Sequence, residues 1–244
     1  PPVPNPFIEA PPVISNEGKI VVMVPVAHHI EPQTDEALRQ LEKRGITVKR
    51  KWGFSCISQG RCAMATESLD EGFEWLIWVD ADLDFWSWDI EKLISYNLPV
   101  VGGTYSVKGW PVLTTEFLED GQVTLGVGGS LKEVRYIATG FLCVHRSVYE
   151  KLAYILPRAK IWGGQYNSYP FYLPEVIEEN GERYVIGEDF NFIRKVRQAG
   201  FKVFCDTSIQ IGHVGKYSYG YGFLERGVIP EPKTVLYTQE RSNY

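Results

Sequence analysis

Three short segments of this sequence carry side chains that could do chemistry together. The first, Trp78-Val79-Asp80-Ala81-Asp82-Leu83-Asp84, completes and follows the apolar run EWLIWV. On an extended segment residues two apart project to one side, so Asp80 and Asp82 are expected to point together. Two carboxylates converging where a ligand docks repel unless a cation lies between them, and hard ions such as Mg²⁺ or Mn²⁺ take oxygen ligands of this kind. An isolated Asp-x-Asp is also a common turn ahead of a helix. Its place at the end of an apolar strand favours the metal reading here, and Asp84 reads as the helix cap.

The second segment is Gly187-Glu188-Asp189-Phe190, which opens a helical pattern running to Ala199. Acids in a first turn are stabilised by the helix dipole, so an ordinary end-capping pair is one reading. The other is a base: the preceding apolar YVIG could aim one carboxylate into a cleft at the sheet end, where it would take a proton from a hydroxyl. The third segment is Gln210-Ile211-Gly212-His213-Val214-Gly215-Lys216. Imidazole is a good ligand for Mn²⁺, the glycines allow a sharply bent loop, and Lys216 lies close enough to take a phosphate borne by the same ion. Aromatics alternate with glycines through Tyr217, Tyr219, Tyr221 and Phe223, the pattern of a lid or an acceptor platform.

The elements that must position these segments follow from the punctuation. Lys19 to Val26 is a continuous β-branched run, as for a strand buried on both faces. Thr34 reads as an N-cap, Ala37, Leu38 and Leu41 as an apolar stripe, and Gly45 as a stop. The cycle repeats with a strand at 46–51, a helix at 59–71, the strand at 74–79, a helix at 88–96 and a strand at 99–102. Such alternation means right-handed crossovers and a mostly parallel sheet. From Val112 to Val144 short runs broken by glycines suggest an antiparallel extension. The expected fold is therefore α/β, a single Rossmann-like domain over 19–244 with a mostly parallel central sheet and a small antiparallel addition. Ahead of it, six prolines among the first twelve residues mark 1–18 as an extended arm or linker.

Composition limits the partners. A net charge of −5 argues against a nucleic-acid footprint, which needs a basic face. No apolar run approaches the length needed to cross a bilayer. Four scattered cysteines without a CxxC pair fit reduced thiols and a cytoplasmic location.

In order, the strand with DAD, the GED helix and the GHVGK loop resemble the GT-A glycosyltransferases, from about Lys19 to about Phe223. The pattern is most similar to small bacterial, phage and large-virus transferases, with a distant similarity to fungal mannosyltransferases of the Golgi. The resemblance implies a metal-dependent transfer of a hexosyl or deoxyhexosyl group from a UDP- or GDP-sugar to a carbohydrate or glycoconjugate hydroxyl. By it Asp82 holds the divalent cation (Mn²⁺ or Mg²⁺), Asp80 contacts the ribose or the metal, and His213 supplies another ligand. Asp189 matches the catalytic base of inverting members, with Glu188 beside it on the sugar or acceptor. A metal-binding His followed by Lys, here Lys216, also occurs in retaining members. Pro25, Ala27 and His28 end the first strand, where these enzymes receive the base; His28 or His29 could stack on it. Arg61 could clamp a phosphate, Gly140 could let a sugar approach the backbone, and Lys108 could reach the acceptor.

Two other functions compete. A sugar-phosphate nucleotidyltransferase would carry a Gly-rich, basic first loop, which PVAHHIEP lacks. A non-catalytic sugar- or protein-binding module would be expected to have lost Asp80, Asp82 and His213.

Overall fold

The computed structural model describes residues 19–160, 167–215, 218–220 and 233–237. The first half alternates strand and helix: β1 (Ile20–Val26), α1 (Pro32–Lys43), β2 (Thr47–Trp52), α2 (Ile57–Asp70), β3 (Trp75–Val79), the two-residue β4 (Leu83–Asp84), α3 (Ser87–Ser95) and β5 (Val100–Gly103). Shorter strands follow, β6 (Thr115–Phe117), β7 (Gly121–Leu125), β8 (Leu131–Ile137) and β9 (Phe141–His145), and then α4 (Arg146–Ile155). The remainder comprises β10 (Ala159–Lys160), β11 (Asn167–Ser168), the hairpin of β12 (Glu175–Glu179) and β13 (Glu182–Ile186), α5 (Glu188–Gln198), β14 (Phe204–Asp206), β15 (Gly212–Val214), β16 (Ser218–Tyr219) and β17 (Lys233–Tyr237). The expected arm at 1–18 lies outside the described residues.

One eight-stranded sheet organises the chain, in the order β2-β1-β3-β9-β5-β14-β8-β6. β1 runs parallel to β2 and β3, and β14 parallel to β5; β9 opposes β3 and β5, and β8 opposes β14 and β6. Six strands thus share one direction, the mostly parallel α/β architecture that the sequence pattern implies.

The alternation of strand side chains builds two cores. Val21, Met23, Leu76 and Trp78 face one side, where they meet Cys62 and Met64 of α2, Leu152 of α4, and Phe192 and Val196 of α5. Val22, Val24, Ile77 and Val79 face the other and meet Leu38 and Leu41 of α1 with Ile90 and Leu93 of α3. Both faces of β1 are covered, which is why it is apolar throughout. Burying each such side chain contributes roughly 1.5–3 kcal/mol. Helices stop where glycine enters the left-handed region, at Gly45 (φ 82°) and Gly200 (φ 94°). Among the described residues no helix is long and apolar enough to cross a membrane.

Three local expectations are corrected. Thr34 does not cap α1: the helix begins at Pro32, and the Thr34 hydroxyl, fully buried, donates to the Leu83 carbonyl at 2.7 Å. Proline at the first position had already started the helix. Asp84 is no cap either, since it pairs in β4 with Gly212, and it is Asp89 whose carboxylate accepts from the Trp86 N–H at 3.0 Å. β9 is not part of a peripheral extension, because it lies antiparallel in the centre of the sheet, between β3 and β5.

Candidate functional site

The loop after β3 is held by its neighbours at consecutive residues. The Asp80 N–H donates to the Gly140 carbonyl at 2.8 Å. The carbonyl of Ala81 accepts from Glu31 N–H at 2.8 Å, that of Asp82 from Val214 N–H at 2.7 Å, and that of Leu83 from Thr34. Three separate segments, the start of α1, Gly140 and Val214, therefore fix the backbone that carries the two aspartates, as a site that must hold charge in place requires. The chain leaves the extended conformation after Val79 and turns at Ala81 and Asp82. Two-residue alternation no longer applies, and Asp80 and Asp82 take different partners, contrary to the expectation that they project together.

Asp80 belongs to a group around the buried Arg61. The guanidinium, on the nearly all-buried helix α2, is 3% exposed. Its Nη2 donates to Asp80 Oδ1 at 3.0 Å, and its Nε lies 3.7 Å from Asp189 Oδ1 at the start of α5. The Trp78 ring lies under it, 5.4 Å away. Burial opposes the charge of Arg61, but Asp80 and then Asp189 outweigh it and raise its pKa. Burial pushes the Asp80 carboxyl up; Arg61 opposes this, while Asp189 and Asp82 add to it. Glu188 is raised by burial and by Asp189. Within this group Arg61 Nε and Asp189 Oδ1 face each other at 3.7 Å, beyond hydrogen-bond distance, and Arg61 Nη1 is buried with no hydrogen-bond partner among the described residues. A buried N–H left unpaired costs about 1–3 kcal/mol, so Nη1 is the atom here that a ligand could complete. Arg61 is thus a buried side chain engaged by two carboxylates, with Nη1 the nitrogen left over.

Asp82 belongs to a second, more open group. Lys108 Nζ lies 2.5 Å from Asp82 Oδ2, and His213 Nε2 lies 3.6 Å from Oδ1. The other ring nitrogen, Nδ1, faces the Ser106 carbonyl at 3.1 Å, so in the neutral ring Nδ1 carries the proton and Nε2 is the nitrogen free to bind an ion. Burial pushes the Asp82 carboxyl up, but its contacts with His213 and Lys108 outweigh this and hold it below the usual range. His213 reaches this place because β15 pairs with β4, setting His213 opposite Leu83.

The chemistry of this donor set suits a divalent ion. A carboxylate oxygen and an imidazole acceptor 3.6 Å apart are within reach of one ion bonded to each at about 2.1 Å. Among the described residues no three His, Cys, Asp or Glu side chains gather closely enough to hold a metal by themselves. Among the described residues the candidate ligands beside one another are Asp82 and His213, while Asp80 is engaged by Arg61.

Gly140 connects the two groups. A Cβ there would lie 2.1 Å from the Tyr105 hydroxyl and 2.5 Å from Asp80 Oδ2, so only glycine fits this approach. Tyr105 was not legible as a site residue from sequence. It is buried, meets His213 edge-on at 5.1 Å, and its phenol is pushed well above the ordinary value, first by burial and then by Asp80. At the end of β1, Pro25 is buried, whereas Ala27 and His28 are exposed, and His29 pairs with Glu31 at 2.9 Å. Trp52, paired in register with Val26 and 54% exposed, is an aromatic face at the same strand ends that the sequence pattern did not single out. Lys216, Tyr217, Tyr221 and Phe223 lie outside the described residues. An open depression of about 530 Å³ between His29, Arg39 and Trp52 contains none of the candidate carboxylates.

No protein-family model matches the sequence, and no curated protein matches it. Among solved structures, the chain is similar to A197 from STIV, with 14% identity over 93% of this chain and 97% of that one and a TM-score of 0.54. That likeness is one of fold. It also aligns with GalNAc-T7 crystallised with UDP, GalNAc and Mn²⁺ (13% identity, 82% of this chain, 45% of that one, TM-score 0.41). A further alignment is with S. aureus TarS 1-349 (13% identity, 78% and 58%, TM-score 0.40). Alignments at these two scores carry no argument about function.

Proposed function

We propose that this chain is a GT-A-type glycosyltransferase that moves a sugar from a nucleoside-diphosphate donor to a carbohydrate hydroxyl with inversion. The observation that carries the reading is the sharing of Arg61 by Asp80 and Asp189, which puts the strand-end aspartate and the candidate base in one site with unsatisfied polar atoms. Asp82 and His213 would hold a divalent ion, which when bound offsets the charge of the departing diphosphate. Asp189 takes the proton from the acceptor hydroxyl as that oxygen attacks the anomeric carbon and the diphosphate leaves from the opposite face. Asp189 sits in the first turn of α5 and faces the Arg61 guanidinium at 3.7 Å. Arg61 keeps the two carboxylates apart and is a positioning residue. Gly140 leaves room for the donor beside Asp80, and Glu188 stands where it can orient the acceptor. The exposed Ala27 and His28, with Trp52, would meet the nucleobase, which leaves UDP- and GDP-sugars as the donors to test.

The test is turnover of a panel of UDP- and GDP-sugars with Mn²⁺, reading nucleotide release and, by NMR, the anomeric configuration of the product. Asp189→Asn keeps the shape but cannot accept the proton, so turnover is expected to fall roughly 10²–10⁴-fold with donor binding kept. Retention of configuration, or an Asn variant near the wild-type rate, removes Asp189 from the role of base. Donor binding without turnover in the wild-type protein makes the chain a binding module.

A further inference from the structure

The structure sets a tethered cation on the carboxylate that the proposed reading gives to the metal. Lys108 stands at the tip of a tight turn: Val107 N–H donates to Val112 O at 2.9 Å, Trp110 N–H to Val107 O at 3.2 Å, and Gly109 between them adopts φ 78°. This turn also supplies the Ser106 carbonyl that fixes the tautomer of His213, and the Ser106 hydroxyl that donates to the Tyr219 carbonyl at 2.9 Å. One short segment thus prepares one metal ligand, His213, while placing an ammonium on the other, Asp82. The pair is well exposed, at 37% for Lys108 and 34% for Asp82, and an ion pair this open to water contributes little and exchanges readily. Beside the lysine stem lies Gly215, whose Cβ position would be 3.5 Å from Lys108 Cδ and 3.3 Å from Tyr219 Cε2.

We infer that Lys108 is a placeholder for the divalent ion: it neutralises Asp82 in the free protein and yields the carboxylate when an incoming diphosphate offers the ammonium new oxygen partners. The inference rests on the proposed metal-dependent reading of this site and adds a coupling to it. With two protein ligands among the described residues, and an ammonium on one of them, a divalent ion alone meets repulsion and a filled carboxylate. A diphosphate brings further oxygen ligands for the ion and a new partner for Lys108 at the same moment. Ion and diphosphate should therefore bind together far better than either does singly, with Lys108 as the source of the coupling.

The experiment is titration of Mn²⁺, followed by electron paramagnetic resonance, into the wild-type protein, Lys108→Met and Lys108→Arg, each with and without inorganic pyrophosphate. Lys108→Met is expected to bind Mn²⁺ alone roughly 10-fold more tightly than wild type, because a like charge has been removed from the ion's site. It should also lose most of the enhancement that pyrophosphate gives to the wild type. Lys108→Arg keeps the charge and should bind Mn²⁺ alone as weakly as wild type does. Equal affinity of wild type and Lys108→Met for Mn²⁺ alone, with binding present in both, overturns the placeholder and leaves the metal reading standing. Absence of Mn²⁺ binding in all three proteins, with and without pyrophosphate, overturns both.

Discussion

Two acidic groups lie beside the central sheet, Asp206 closed off and fully paired, Asp80 with Asp189 partly open and sharing one guanidinium. At the end of β14, Asp206 has both oxygens occupied: Oδ2 accepts from Tyr96 at 2.8 Å and lies 2.8 Å from Lys92 Nζ, while Oδ1 accepts from the Ser208 N–H at 2.9 Å and its hydroxyl at 2.6 Å. Burial opposes the charge of Asp206, but Lys92 and Ser208 outweigh it and lower the pKa. After β3 and at the start of α5, Arg61 is buried but Asp80 and Asp189 are 27% and 26% exposed, and Arg61 Nη1 has no hydrogen-bond partner among the described residues. A satisfied network stabilises a fold; an incomplete one is tolerated where a ligand finishes it.

The comparison breaks most sharply through paired substitutions. Asp189→Asn should lose the 10²–10⁴-fold in turnover given above with only a modest fall in melting temperature, since Arg61 loses one of its two counter-charges but keeps its hydrogen bond to Asp80. Lys92→Met should do the reverse. It strips a buried carboxylate of its cation and is expected to cost roughly 3–5 kcal/mol, seen as a lower denaturant midpoint, with turnover unchanged. If Lys92→Met reduces turnover at assay temperatures where it remains folded, or Asp189→Asn unfolds the protein, the division between the groups fails.

Gly140→Ala sharpens the comparison on the functional side. The added Cβ would drive Asp80 and Tyr105 apart, so stability should drop by about 1–3 kcal/mol and turnover should fall with it. An alanine variant as stable and active as wild type would mean that this close approach is not used.

The smallest effect is expected from pH on the structural side. Asp89, one turn from Lys92 and close to Asp206, is pushed up to about 7, chiefly by burial. Its carboxyl binds its proton more tightly folded than unfolded. The stability this gives is full below the ordinary acid range near pH 4 and is lost as pH rises to about 7. Asp89→Asn removes that dependence, so the melting temperature of wild type minus variant should fall between pH 5 and pH 8. Parallel curves would contradict the assignment.

Much of this was legible in the residues. Apolar runs such as IVVMVPV and EWLIWV marked buried strands because both faces are covered, and glycines marked helix ends because the left-handed region excludes most side chains. The three chemical segments came to one end of the sheet, as strand-end geometry requires. Other features depended on distant partners. That Asp80 turns to Arg61 and Asp82 to Lys108 is decided by residues 19 and 26 positions away, and the buried phenol of Tyr105 by the approach of Gly140. The central place of β9 is likewise a matter of tertiary pairing. The β12–β13 hairpin was announced locally, by Asn180-Gly181 with φ 54° and 80°, a two-residue turn signal left unread.

The central claim is that Asp82 and His213 form, with the neighbouring carboxylates, a metal-linked site for a nucleoside diphosphate. The most direct measurement is calorimetric titration of UDP and GDP, with and without Mn²⁺, into the wild-type protein, Asp82→Ala and His213→Ala, each checked for a native circular-dichroism spectrum. The account expects one of the two nucleotides to bind wild type only, or far more tightly, with Mn²⁺, and this metal dependence to vanish in both variants. Unchanged affinity in both folded variants, or nucleotide binding to wild type that Mn²⁺ does not alter, would contradict it.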